Sequence, residues 1–533
     1  MSGGYLTLAR MKKLLLILPV CLIFAAVVPD GERWWSHVKF LADDKLEGRN
    51  TGSVGHRVAA QYVAEQFERL KLQPAGTDGY IQPMKFDTRE VDESGSSLAL
   101  IRGAKVEPLV LGEDATISMR VNPLPALEAP LVFIGHALTV PEAAYDDFAG
   151  MDVRGKIVVY IGGGPPSLPA ALSSHYQSAG ERSANLKKHG VLGTVSIANP
   201  RAMDIPWARS SLARFQVSMT LADDPEDAGA GLGVTVNPAH ADKLFAGTGH
   251  TFAEILADAD AGKPIPHFPI PASLRAKVAV KRGKVESQNV AAIYPGSDPK
   301  LKDEYVIMSA HIDHVGVGEP INGDKIYNGA MDNAAGVAAM LDIAALLRER
   351  DAKTKRSILF VAVTGEEKGL LGSKYFAAHP TVDKKHIVAD INTDMFLPLY
   401  PLKRLTVYGL DESDLTEDVK AVAKKRGIDV QPDPEPIRNS FIRSDQYSFI
   451  KEGVPALALK DGYLKGSPEE KTFKNWLTER YHAPSDDLNQ PVDKQAAGLF
   501  DVVVSELLER VADRDTKPKW YDKSFFRRYA ANE

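Results

Sequence analysis

The fold of this chain is decided by Tyr305-Val306-Ile307-Met308-Ser309-Ala310-His311-Ile312-Asp313-His314. The first four residues are apolar and predict a buried strand, and polar side chains begin where that strand ends. Polar groups at the carboxyl end of a strand usually line the site of an open α/β sheet. Since side chains alternate along a strand, His311 and Asp313 can face the same side, where Asp313 could accept the second imidazole N–H of a metal-binding His311. The alternative is a pair of loop residues that hydrogen-bond each other.

After Pro271 the sequence alternates predicted strands with predicted helices. Strands are predicted at Tyr305 to Ser309, Ser357 to Val363, Ile387 to Asn392, Leu405 to Tyr408 and Ala456 to Leu459. Apolar stripes at helical spacing predict helices over Asn333 to Leu347 and Lys494 to Ala512. This alternation builds a sheet with helices on its faces, so we expect an α/β fold.

The length of the chain and the changes in its sequence composition divide it into several parts. At 533 residues it is long enough for two or three domains of roughly 150 residues each. From about residue 121 to 270 the sequence changes to short β-rich runs broken by turn clusters such as Gly162-Gly163-Gly164-Pro165-Pro166. We interpret residues 119–271 as an inserted domain, 30–118 and 272–515 as the main domain, and 516–533 as a charged and aromatic tail that lies on the surface or docks loosely.

Residues 1–29 are predicted to be a secretory signal. Arg10, Lys12 and Lys13 precede an apolar run from Leu14 to Val28, which ends at polar residues. The run is about fifteen residues long, fewer than the roughly 20 that a bilayer-spanning helix needs. We therefore expect export to the periplasm or the extracellular space, with no stable membrane insertion after signal cleavage.

The composition of the chain restricts the metal ligands and the partners that it can have. The only cysteine, Cys21, lies in the predicted signal, so a cleaved chain would have neither disulfides nor thiolate metal ligands. The net charge is −6, and the sequence has no basic patch, which argues against a nucleic-acid partner. The sequence gives no indication of the oligomeric state.

Two further segments carry acidic residues beside predicted strand or helix ends. Asn328 to Gly336 places Asp332 just before a helix, where its carboxylate can cap the helix or bridge two cations with its two oxygens. The apolar strand that ends at Val363 runs into Glu366 and Glu367. Adjacent carboxylates repel and lose hydration there unless cations neutralise them. One of the two could bind a metal while the other moves protons; the alternative is a solvated acidic turn.

Asp394 and His482 complete a candidate set. Asp390 is an alternative to Asp394, and His314 and His386 compete with His482. The set joins two histidines and three carboxylates in one α/β region, most of them next to a strand end. Nitrogen and oxygen ligands without sulfur suit zinc, with cobalt or manganese as substitutes.

These motifs resemble the zinc aminopeptidase family that includes bacterial leucyl aminopeptidases and aminopeptidase Y, with glutamate carboxypeptidases among its relatives. Phe40 to Arg49 resembles a frequent opening of these enzymes, and Tyr145 to Val158 resembles the protease-associated domain that many members carry. One departure is Ser444-Asp445-Gln446-Tyr447, where many relatives have Ser-Asp-His. The resemblance implies the di-zinc exopeptidase fold, which has a mixed central sheet with helices on both faces, here with an inserted β-rich protease-associated domain.

The resemblance also implies roles for the candidate residues. One zinc ion is expected on His311 and Asp394, the other on Glu367 and His482, with Asp332 bridging both and a cis peptide bond after it. Glu366 is the implied general base, and Asp313 is the second catalytic residue, acting through His311.

We therefore expect a zinc-dependent exopeptidase acting on peptides, an aminopeptidase that removes N-terminal residues with a zinc-bridging water and Glu366 as the base. A carboxypeptidase or dipeptidase of the same family is the alternative, followed by a glutaminyl cyclase or a non-catalytic binding protein. Arg438 and Arg443, near the site region, keep the carboxypeptidase open, because a basic pocket would suit a substrate carboxylate.

Overall fold

The computed structural model describes Met1 and residues 30–223, 231–438 and 440–530. The predicted signal, residues 1–29, lies outside the described residues apart from Met1, and so do the last three residues of the predicted tail.

The main part of the fold is a central sheet whose middle strands are parallel. Across the sheet the strands are Asp429–Gln431, Arg404–Tyr408, Ala456–Asp461, Ile387–Asn392, Tyr305–His311, Ser357–Val363 and His267–Tyr294. Arg404–Tyr408 is antiparallel to Ala456–Asp461, and His267–Tyr294 is antiparallel to Ser357–Val363. The sheet is mixed, as predicted. The four parallel strands between these two end at one edge, which is where the predicted site residues follow them.

Side-chain alternation gives this sheet two apolar faces. In Tyr305–His311, Val306 and Met308 pack into one core, and Ile307 packs into the core on the other side. The first face is covered by the helices Glu32–Leu41, Val54–Arg69, Ala335–Glu349, Leu415–Lys425, Pro468–Glu479 and Lys494–Ala512, and the second by Leu371–Ala378 and Gln446–Lys451. The predicted helices on both faces are confirmed.

One helical stretch in the described part of the chain, Ala330–Glu349, is long and apolar enough to cross a membrane. Its apolar window is entirely buried within the fold. Its position as the central helix of the main core therefore explains its high hydropathy.

The two longest strands continue into a second part with its own core. Ile81–Arg102 and His267–Tyr294 pair antiparallel almost throughout their length. The sheet is extended by strands Ala126–Ile134, Ile157–Ile161, Gly193–Ile197, Gly233–Val236 and Ala115–Ile117, and helices Ala170–Gln177, Ala179–Lys188 and Phe252–Asp260 lie between them in the chain. The second core includes Val91 and Val278, beyond the predicted limits of 119 and 271, because the long strands pass from one core to the other without a break. That this part is a protease-associated domain stays a prediction.

The chain after residue 515 packs more firmly than its composition suggested. Phe526 is completely buried, and Trp520 is nearly so. Both lie in an apolar cluster with Tyr447 and Ile450 of helix Gln446–Lys451. The prediction of a loosely docked tail is wrong for these residues, because their aromatic rings cover the outer side of a helix that follows the site.

Candidate metal centre

The candidate site lies at the edge where the parallel strands end. His311 is the last residue of its strand, Glu366 and Glu367 follow Ser357–Val363, and Asp394 follows Ile387–Asn392. Asp332 lies in an irregular turn, Ala330–Ala334, that leads into the central helix. Loops at strand ends can converge on one point without disturbing the sheet, which explains why residues so far apart in sequence meet here.

The structure brings the five predicted metal ligands together in two groups. His311, Asp332 and Asp394 form one group, and His314, Asp332, Glu367 and His482 form the other; within each group the ligand atoms all lie within 4.8 Å of one another. Asp332 belongs to both groups. Its Oδ1 is 3.4 Å from His311 Nε2, and its Oδ2 is 3.2 Å from His482 Nε2. A carboxylate with one oxygen toward each group has the arrangement that a bridging ligand requires.

The remaining contacts within the groups are equally close. Asp394 Oδ1 lies 3.4 Å from His311 Nε2, and Glu367 Oε2 lies 3.2 Å from His482 Nε2. The donors are nitrogen and oxygen atoms only. The carboxylates are negatively charged, and neutral histidines do not offset that charge. This donor set fits one or two borderline cations such as zinc.

The sequence predicts His314 as a competitor of His482, and the structure places both in the same group. His314 is fully buried, and its Nδ1 lies 2.8 Å from Glu367 Oε1, so an imidazole protonated there donates a hydrogen bond to that carboxylate. Asp390 and His386 are not part of either group. Asp390 is buried within its strand, and His386 lies in a turn at the opposite end of that strand.

Asp313 contacts the site differently from the prediction. His311 Nδ1 donates to the backbone carbonyl of Asp313 at 3.0 Å, whereas the Asp313 carboxylate is 3.9 Å away. The carbonyl thus fixes the tautomer that leaves Nε2 free for a metal. The Asp313 carboxylate instead accepts the Thr51 hydroxyl at 2.9 Å and the backbone N–H groups of Glu366 and Glu367 at 3.1 and 3.4 Å. Its role is to hold the loop that carries the two glutamates.

Electrostatics distinguish the two adjacent glutamates. Burial and the neighbouring carboxylates raise the pKa of Glu366 well above its usual range, although His311 opposes this. Burial also acts on Glu367, but the nearby His482 and His314 outweigh it and hold the pKa of Glu367 well below its usual range. Despite its own burial, His482 is stabilised as a cation by Glu367 and Asp332, which raises its pKa to about 10. Buried carboxylates thus draw positive charge into the site, as a cation-binding centre requires.

The turn that carries Asp332 is held by the side chains of Asp486 and Asn333, for which the sequence predicted no such contacts. Asp486 accepts the backbone N–H groups of Met331 at 3.0 Å and Asp332 at 3.1 Å. Asn333, joined to Asp332 by a cis peptide bond as expected, donates to the Thr393 carbonyl at 3.0 Å and accepts the N–H of Met395 at 3.2 Å. Asn333 therefore links the Asp332 turn to the loop of Asp394.

Arg49 holds the backbone of the same region through hydrogen bonds. Its guanidinium donates to the carbonyls of Ile312 at 2.9 Å, Asn328 at 2.6 Å and Gly329 at 2.9 Å, and also to Leu41. The side chain is almost completely buried. One arginine thus fixes the backbone on either side of the loops that carry His311 and Asp332.

Replacing Arg49 by Met is expected to lower the free energy of unfolding by about 2–4 kcal/mol, because several buried carbonyls lose their donor at once. The measurement is urea unfolding of the zinc-loaded protein. Arg69→Met, at an exposed arginine with only a long 3.9 Å ion pair, is the matched control and should change stability by less than about 0.5 kcal/mol. Equal effects of the two substitutions would contradict the role given to Arg49.

The metal groups lie at the floor of a cleft between the main part and the second part. Two open spaces of about 560 and 680 Å³ meet there, and both are lined by Glu367, His482 and Tyr481. Residues of the second part, among them Arg120, complete both spaces. A third cavity of only about 60 Å³ adjoins Asp394. The site is therefore open toward the cleft and has little free space on the Asp394 side.

Comparison with known proteins places this site in a family. Residues 289–508, which include every member of both metal groups, match peptidase family M28. The chain is similar to aminopeptidase YwaD of Bacillus subtilis (27% identity over 44% of this chain and 47% of that protein) and to carboxypeptidase Q of Rattus norvegicus (27% identity over 34% of each). These matches span about half or less of the length of the curated relatives.

Among solved structures, an aminopeptidase from Aneurinibacillus sp. strain AM-1 superposes with a TM-score of 0.57 and 21% identity, over 92% of this chain and 95% of that one. This likeness confirms the predicted fold class. Residues 289–508, the part of the chain that holds the candidate metal centre, therefore match peptidase family M28 in sequence.

Proposed function

We propose that this protein is a zinc-dependent aminopeptidase that removes N-terminal residues from peptides. Two zinc ions would be held by His311 and Asp394 on one side and by Glu367 and His482 on the other, with Asp332 between them. The observation that carries the proposal is the pair of buried donor groups that share the Asp332 carboxylate, one oxygen to each group.

Glu366 is proposed as the general base. It is not a member of either metal group, and it lines both the cleft and the small cavity beside Asp394. Zinc, when bound, supplies a Lewis acid that polarises a carbonyl and lowers the pKa of water. Glu366 then takes a proton from the attacking water and returns it to the departing amine, a transfer for which a positioned carboxylate is suited.

The shape of the site supports an exopeptidase rather than an endopeptidase. On the Asp394 side the cavity of about 60 Å³ leaves space for little more than one side chain, whereas the open cleft on the other side has room for several residues. A peptide bound across the metal groups would therefore have one end at the small cavity. That end is the N-terminus in an aminopeptidase and the C-terminus in the carboxypeptidase alternative.

The deciding experiment compares free-amine and N-acetylated peptides of the same sequence as substrates of the purified protein. Zinc content is measured alongside, and chelator-treated protein is the control. Cleavage of only the free-amine set, lost on chelation and restored by zinc, is the expected result. Cleavage of the acetylated set from the C-terminus would replace aminopeptidase by carboxypeptidase, and a protein that binds no zinc would overturn the whole proposal.

We further propose that the protein is exported, on the basis of the basic and apolar pattern of residues 1–29. Export predicts that the protein isolated from a periplasmic or culture fraction lacks this segment. Recovery of full-length protein from the cytosol alone would contradict it.

A further inference from the structure

The small cavity beside Asp394 has an unusual charge distribution. Its wall includes the apolar or aromatic side chains of Met395, Phe473 and Leu477, together with carboxylates of the site such as Glu366 and Asp394. Three cationic side chains also line it: Arg438, Arg443 and Lys460. A small space that combines an apolar wall with several cationic groups suits a short aliphatic chain that carries an anion.

The two arginines already have an acidic partner. Asp204, contributed by the second part of the fold, accepts Arg438 Nη2 at 2.6 Å and Arg443 Nη1 at 2.7 Å. Glu435 accepts the other terminal nitrogen of Arg438 at 3.2 Å and is shared with Lys474. These ion pairs hold the two arginines in place at the wall of the cavity. Lys460 is the third cation that lines it.

Lys460 has no such partner among the described residues. It is half-buried in strand Ala456–Asp461, and its ammonium group makes no hydrogen bond or ion pair there; its Nζ lies 6.0 Å from the centre of the Tyr408 ring. Arg438 Nε is also buried without a hydrogen-bond partner among the described residues. A partly buried ammonium group without a carboxylate partner is stabilised when an anion binds beside it. Asp394, whose charge acts on Lys460, belongs to the His311 donor group.

We propose that this cavity binds the side-chain carboxylate of an N-terminal aspartate or glutamate, with Lys460 as its main ion-pair partner. The inference rests on the proposed aminopeptidase function and specifies its substrate class. The methylene groups of the acidic residue would lie against Met395 and Phe473, and the carboxylate would pair with Lys460. The same chemistry could instead receive the C-terminal carboxylate of a peptide, and the experiment below distinguishes the two sources.

The test compares kcat/KM for aminoacyl p-nitroanilides of glutamate, glutamine, aspartate, asparagine and leucine, and for one peptide with a free or an amidated C-terminus. The amide analogues match the acids in size but lack the charge. Wild-type protein is expected to prefer glutamate over glutamine by about tenfold or more, since a desolvated ion pair separates two isosteric ligands strongly. In Lys460→Met this ratio is expected to fall by about 10- to 100-fold.

Lys460→Arg keeps the charge and should retain most of the preference. Lys471→Met, at an exposed lysine of helix Pro468–Glu479, is the matched control and should leave the ratio unchanged. Zinc content is measured for every variant, and because the readout is a ratio of two substrates, a general loss of metal or of fold would not alter it.

The possible outcomes distinguish a failure of the acidic pocket from a failure of the proposed aminopeptidase activity. Equal rates on glutamate and glutamine, with leucine hydrolysed well, would overturn the acidic pocket and leave the aminopeptidase intact. A preference for free over amidated peptide C-termini that Lys460→Met abolishes would overturn the side-chain proposal in favour of C-terminal recognition. Absence of hydrolysis on all free-amine substrates by zinc-loaded protein would instead overturn the proposed function on which the inference rests.

Discussion

Glu366→Gln is expected to lower kcat by about 10²- to 10⁴-fold while the protein keeps its zinc and its stability. The amide is nearly isosteric with the carboxylate, so the hydrogen bond from the backbone N–H of Glu366 to Asp313 should survive. What is lost is the group that accepts a proton from water. Because Glu366 lies outside both donor groups, its replacement removes no metal ligand.

The adjacent glutamate provides the matched control. Glu367 belongs to the group with His482 and accepts a hydrogen bond from His314, so Glu367→Gln should lower zinc binding as well as activity. The measurements are kcat, zinc content by elemental analysis and thermal unfolding for both variants. A Glu366→Gln protein that stays fully active, or that loses as much zinc as Glu367→Gln, would contradict the division of roles between these neighbours.

Sequence patterns alone were sufficient to predict the sheet and the place of the site. Apolar runs such as the one ending at Val363 identified buried strands, and polar residues such as His311 and Glu367 marked the ends of those strands. In parallel strands these ends share one edge, so residues distant in sequence could be expected to meet. The structure places all five predicted ligands within the two donor groups.

Contacts that depend on tertiary packing could not be predicted in this way. The roles of Arg49 and Asp486 come from hydrogen bonds to backbone groups far away in sequence, and such bonds leave no local pattern. The role of Asp313 differed for a related reason. Alternation correctly put it near His311, but the backbone carbonyl was the closer acceptor and left the carboxylate for the Glu366 loop.

The limits of the second part also could not be predicted from the sequence, because its two longest strands continue into the main part. The strands Ile81–Arg102 and His267–Tyr294 belong to both cores, so composition changes well inside the second core rather than at its start. Asp204 shows a functional consequence of this arrangement. A residue of the second part pairs with Arg438 and Arg443 of the main part, so the wall of the small cavity is completed across the two cores.

Asp332→Ala is expected to remove both zinc ions and to lower kcat/KM by about 10³-fold or more, which corresponds to several kcal/mol of lost transition-state stabilisation. The reason lies in its position, since its two carboxylate oxygens face His311 on one side and His482 on the other. No other residue in the described part of the chain belongs to both donor groups.

Single-group variants make this prediction specific to a bridging residue. Asp394→Ala removes a ligand of the His311 group only, and His482→Ala removes one of the other group only. Each should leave about one zinc ion per chain, against two in the wild type and none in Asp332→Ala, as measured by elemental analysis after dialysis against metal-free buffer. If Asp332→Ala kept one ion, the carboxylate would serve a single site. If Asp394→Ala lost both, the two sites would depend on each other through more than Asp332, and Asn333, which ties the Asp332 turn to the Asp394 loop, would be the first residue to test.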